Sequence, residues 1–210
     1  MKSDGCMHIK FISLLMIVVA SVSWAEQNEV QARGIALVAV GPVESALMER
    51  VRAFVEINTC IPVRIKSTDA LVQQSLYESM QKAAHAKEEG DEMLVALVAG
   101  SPDWAEHAVY DYEKMLGSVN VRLMLEREKP EQEMAERRVE KLVMRSVGLL
   151  MDVPPVPNPQ SAMFAYQSLE ELDAIGRNFD PPSLLRFQEN ARARGLRLIS
   201  DCRYNMIGTE

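Results

Sequence analysis

Two uninterrupted apolar runs, Gly-Ile-Ala-Leu-Val-Ala-Val at 34–40 and Met-Leu-Val-Ala-Leu-Val-Ala at 93–99, dominate what this chain can become. Neither alternates with polar residues, so each must be covered on both faces. Strands inside a sheet, with helices packed above and below, meet that condition. The intervening sequence supplies the helices. Leu47, Val51, Phe54 and Val55 recur at helical spacing within 43–57, and residues 61–65 form a short strand. Asp69 is placed to cap a helix reaching about residue 86, with Leu71, Leu76, Met80 and Ala83 on one side. The charged stretch 87–92 reads as a solvated turn. Further on the pattern predicts a helical stretch over 104–115, a strand over 119–125 and a long helix over 131–151. The expected fold class is α/β, a mixed sheet packed by helices. With 48% hydrophobic residues the chain can build one such core. The proline-rich Val-Pro-Pro-Val-Pro-Asn-Pro segment at 153–159 resists helix. It ends the α/β part at 151 and opens a short irregular and helical C-terminal part, 152–210, of the same domain.

The first residues carry a different message. Lys2 and Lys10 precede an apolar run at 11–22, and Ser23-Trp24-Ala25 comes next. Basic, apolar and small residues in that order make a secretory signal peptide over 1–25, and the run is too short to span a bilayer. The mature domain then covers 26–210 and is exported, to the periplasm or beyond. Export leaves two cysteines, Cys60 and Cys202, and two histidines, His85 and His107. An even number of cysteines in an oxidising compartment invites a Cys60–Cys202 disulfide, although two separately buried thiols fit as well. The formal charge of −7 excludes nucleic acid as a natural partner.

The long helix 131–151 is the most informative segment. Val139, Leu142, Val143, Val147 and Leu150 form a core-facing stripe, and Arg137, Arg138, Lys141 and Arg145 occupy another face. Taken alone, this is an amphipathic helix with a solvated basic side. Its last turns resemble the zinc helix of archaemetzincin-type peptidases, which reads His-Glu-x-x-His-x-x-Gly-Leu-x-His. Gly148 and Leu149 stand at the glycine and its neighbour. Ala162-Met163-Phe164, then Ser168-Leu169-Glu170-Glu171-Leu172-Asp173, then Phe179-Asp180-Pro181-Pro182 resemble the family's downstream Met, Ser-Leu-x-x-x-Asp and Phe-Cys-Pro elements. The Val-Ala-Val-Gly-Pro-Val segment at 38–43 is similar to its opening strand and turn. The resemblance covers most of 34–190 and implies a metzincin-like fold for the N-terminal part.

The departures bear on function. At the three histidine positions of the family pattern stand Lys141, Arg145 and Met151, and Leu142 replaces the glutamate base. Asp152, Ser161, Asp180 and Ser183 stand near the family's structural cysteines. A catalytic zinc needs about three lone-pair donors and an open position for water. Protonated lysine and arginine offer no lone pair and repel a dication. The resemblance therefore implies an inactive homologue without zinc or another cofactor, whose former cleft carries Lys141, Arg145, Met151 and Met163. Fixed cations there can hold a carboxylate of a peptide or protein partner, or can pair with the chain's own acids, such as Asp152 or Asp173.

Other chemistry has thin support. His107 and Asp111 fall one helical turn apart, with Glu106, Tyr110 and Tyr112 nearby, but two side chains do not complete a metal site. His85, beside Lys87 and Glu88, reads as a surface residue. Ser161 and Ser168 lack the Gly-x-Ser-x-Gly context of a nucleophile, and no glycine-rich phosphate loop is present. Two functions remain open: an exported peptide- or protein-binding or structural module, and an exported metallopeptidase or other hydrolase with a non-standard site.

Overall fold

The computed structural model describes residues 33–199. The expected signal peptide and Cys202 lie outside the described residues, so neither the leader nor the Cys60–Cys202 pairing is addressed by the fold. Cys60 itself is buried, at the end of the first helix.

The element order is β1 (Gly34–Val40), α1 (Ser45–Thr59), β2 (Val63–Lys66), α2 (Leu76–Ala83), β3 (Asp91–Val98), β4 (Ala108–Asp111), β5 (Leu116–Asn120), α3 (Val121–Glu126), α4 (Gln132–Leu150), α5 (Leu169–Ala174) and α6 (Pro181–Ala193). The sheet runs β2-β1-β3-β5-β4. All neighbours are parallel except β4, which pairs antiparallel with β5 and forms the edge. This is the expected mixed α/β sheet packed by helices.

The two apolar runs are β1 and β3, paired with Leu37 opposite Val95 and Val38 opposite Ala96. Alternation divides them between two cores. Ile35, Leu37, Met93, Val95 and Leu97 join the larger core beneath α1 and α4. Ala36, Val38, Val40, Leu94, Ala96 and Val98 join a smaller one with Leu76, Met80 and Ala83 of α2. Both faces are thus covered, as an unbroken apolar strand demands. Twelve of the 19 residues of α4 are buried, so this helix is enclosed on more than its apolar stripe.

Three local expectations are corrected. The stretch 104–115 is not helical: Ala108–Asp111 is β4, joined to β5 by a turn in which Lys114 N–H bonds Asp111 Oδ1 (3.1 Å) and Met115 has φ 56°. The β-branched and aromatic Val109-Tyr110 pair suits an extended edge, and pairing with β5 decides the conformation. The strand expected over 119–125 ends at Asn120, whose side chain accepts a bond from Leu123 N–H (3.3 Å) and caps α3. The helix expected from Asp69 begins at Leu76 instead, because Ser75 caps it by accepting from Glu78 N–H. After α4 the prolines do enforce an irregular path. Asp152 turns the chain at φ 58°, Val156 and Phe164 form an isolated bridge, and Pro181 starts α6.

Candidate functional site

The site is built around α4 and the C-terminal segment that folds back on it. Gly148 allows the closest approach. A Cβ there would lie 2.6 Å from Met163 Sδ and 2.9 Å from the Phe179 ring, so Met163 is seated on the helix at its glycine. Met163 is wholly buried. Met151 is also buried and ends the helix, its N–H reaching the carbonyls of Val147 and Gly148 while its own carbonyl accepts from Asn190 Nδ2 (2.7 Å).

On the basic side of α4 Arg137 is exposed, but Arg138, Lys141 and Arg145 are not solvated as the sequence suggests. Arg138 is 2% exposed and grips the Asp173 carboxylate through Nε (2.8 Å) and Nη2 (2.6 Å). Lys141, 6% exposed, donates to the backbone carbonyls of Leu172 (2.8 Å) and Asp173 (2.7 Å) at the end of α5. A cation at unpaired carbonyls of a helix C-terminus is favourable. Burial lowers the Lys141 pKa, Arg137, Arg177 and Arg138 push the same way, and Asp173 opposes them. Arg145 is half-buried and donates through Nη1 to the carbonyls of Ala162 (3.2 Å) and Phe164 (2.8 Å), either side of Met163. Of the acids named as internal partners, Asp173 gives its carboxylate to Arg138 and Asp152 pairs with Arg194. Among the described residues neither Lys141 nor Arg145 has a carboxylate within ion-pair distance.

The two cations therefore share a helix but not a cavity. Lys141 lines a hollow of about 400 Å3 with Arg137, Asp173 and Arg177. Arg145 lines a cleft of about 390 Å3 between α4 and the sheet edge, with His107, Ala108, Tyr110, Leu149, Tyr166 and Gln167. Across this cleft Tyr166 stacks on His107 with ring centroids 5.7 Å apart and planes 6° from parallel, its hydroxyl 3.4 Å from Nδ1. The Arg145 guanidinium lies 5.6 Å from the same tyrosine ring. Burial raises the Tyr110 and Tyr166 pKa values, so both phenols remain hydrogen-bond donors at neutral pH. Burial lowers the His107 pKa, helped by Arg127 and Arg138, which favours neutral imidazole.

One wall of the cleft is β4, a sheet edge with no further strand among the described residues. Asn120 N–H bonds the His107 carbonyl (2.9 Å), and β4 continues that register. Antiparallel alternation then turns the backbone groups of Val109 and Asp111 toward β5, and those of Ala108 and Tyr110 outward.

The remaining sequence candidates do not assemble. His107 and Asp111 stand at opposite ends of β4, and Asp111 bonds Gln81 and Lys114. His85 is exposed in a turn after α2. The Ser161 hydroxyl donates to Asp180 (2.9 Å) and accepts from Met163 N–H, while Ser168 caps α5. Sequence reasoning did not single out Tyr166 or the β4 edge as part of a site. The Val109-Tyr110 pair was the available signal for the edge, and for Tyr166 the partners are too distant in sequence to leave one.

The positions that the resemblance assigns to zinc ligands do not suit zinc. Arg145 has no lone pair, Lys141 spends its ammonium on carbonyls, Met151 offers only a thioether in the core, and Leu142 is apolar at the position of the base. Among the described residues, no three His, Cys, Asp or Glu side chains are grouped to share a metal ion.

The backbone is similar to three solved proteins from archaea. Archaemetzincin of Methanopyrus kandleri superposes with a TM-score of 0.64 at 17% identity, covering 78% of this chain and 98% of its own. A zinc-dependent peptidase of Methanocorpusculum labreanum gives 0.60 at 15% identity, over 73% and 100%. Archaemetzincin of Archaeoglobus fulgidus, solved with malonate, gives 0.57 at 11%, over 72% and 98%. No protein-family model and no curated protein matches the chain. At such low identity the likeness is one of fold, and the fold is archaemetzincin-like.

Proposed function

We propose that this chain is an exported protein of archaemetzincin fold that does not hydrolyse peptides but binds them, in the cleft between α4 and β4. The observation carrying this reading is the use of Arg145. Its guanidinium is fixed by two carbonyls of the Met163 turn and lines that cleft, beside a strand edge that is unpaired among the described residues. Hydrolysis by a metal-bound water needs an ion to acidify the water and a base to take its proton. Lys141, Arg145 and Leu142 supply neither. An open antiparallel edge offers a backbone ladder to an extended peptide, and the cleft side chains offer it hydrogen bonds. The apolar leader at 11–22 supports export.

The test is to incubate the mature, untagged protein with a mixture of synthetic peptides, with zinc added and with chelator added. Mass spectrometry reads cleavage, and nuclear magnetic resonance reads perturbation of the Ala108 and Tyr110 amides. The expected result is perturbed amides without cleavage in either condition. Cleavage that zinc restores and chelator abolishes would establish the rival reading, an exported metallopeptidase with a non-standard site.

A further inference from the structure

We infer that the peptide is held by its C-terminal carboxylate, with Arg145 as the anchor. This rests on the peptide-binding reading above and names the feature of the peptide that the cleft selects. The chain is acidic at −7, yet among the described residues no Asp or Glu lines this cleft. Arg145 uses Nη1 on the Ala162 and Phe164 carbonyls, and among the described residues no acid neutralises it. A planar guanidinium fixed on one side and uncompensated in charge is prepared for an anion on the other.

Tyr166 bridges the cleft from the Arg145 guanidinium to the His107 ring, which immediately precedes β4. A peptide laid along the outward Ala108 and Tyr110 backbone shares the cleft with Arg145 and this stack. The one carboxylate that every peptide carries, whatever its sequence, is its C-terminus, and a guanidinium accepts it.

The probe is a random hexapeptide library in two forms, one with free C-termini and one amidated, passed over immobilised mature protein. Charge-assisted bonds of this kind are worth a factor of about ten or more in affinity. Retention of free-terminus peptides about tenfold above amidated ones is therefore expected. Equal retention of both forms overturns the carboxylate anchor while leaving peptide binding intact. Enrichment of Asp- or Glu-containing amidated peptides also overturns it, in favour of side-chain recognition. Retention of neither form overturns the anchor and the peptide-binding reading together. Arg145→Gln should remove the preference, but that side chain also holds the Met163 turn. Gln167→Glu, at an exposed rim position, places an anion in the cleft without touching that turn. It should weaken free-terminus peptides several-fold and spare amidated ones, and an equal effect on both contradicts the anchor.

Discussion

Gly148 leaves no room for a methyl group, and the reason is Met163. In Gly148→Ala the new carbon meets Met163 Sδ at 2.6 Å and the buried Phe179 ring at 2.9 Å. Alanine favours helix by up to about 1 kcal/mol, but overpacking a close-fitted core costs about 1–3 kcal/mol. Packing should win, lowering the denaturant midpoint. Gly117→Ala, whose nearest neighbour would be 3.4 Å away, is the control and should stay within about 0.5 kcal/mol of the parent. His107 makes a pH prediction. Its folded pKa lies below the ordinary 6.5, so the unfolded chain binds the proton more readily. Its contribution is complete above pH 6.5 and fades as the pH falls through that value toward its folded pKa. Acid unfolding of His107→Gln should lack this component, and a parent stability that rises between pH 6.5 and 5 would contradict the assignment. The residue scale was only partly legible in the sequence. Spacing located Lys141, Arg145 and Gly148. Their partners at 162–164 and 172–173 were invisible, because a lysine-to-carbonyl bond across 31 residues leaves no periodic trace.

At the scale of elements, α4 is the centre to which the C-terminal part is tied. Arg138 holds the side chain of Asp173, Lys141 holds the end of α5, and Arg145 holds the turn around Met163. These contacts are not equal in energy. Removing Arg138 leaves a partly buried carboxylate without its bidentate partner, which costs about 3–5 kcal/mol. Lys141→Met keeps the volume and removes a buried charge, so about 1 kcal/mol is expected, felt mainly as faster hydrogen exchange in 169–174. A Lys141 variant that unfolds the whole domain would contradict this division. Elements were readable where burial made them unambiguous, as in β1, β3 and α4. They were misread where a short segment owes its form to a neighbour. Four residues of β4 are a strand because β5 lies beside them, and Asn120 ends one element by capping the next. Neither fact resides in local periodicity.

The whole molecule combines an archaemetzincin-like fold with a helix, α4, on which Lys141 and Arg145 are bonded to carbonyls of the C-terminal segment. The proposed export is tested on cells expressing residues 1–210: they should release a product beginning at Glu26, as read by mass spectrometry, and retention of Met1 in the released protein would contradict the proposed leader. The proposed function requires that Lys141, Arg145 and Met151 hold no zinc. Its most direct test is calorimetric titration of zinc into chelator-treated mature protein without a tag. The account predicts no saturable site at one zinc per chain. One tightly bound zinc per chain, lost on mutation of the α4 positions, would contradict it.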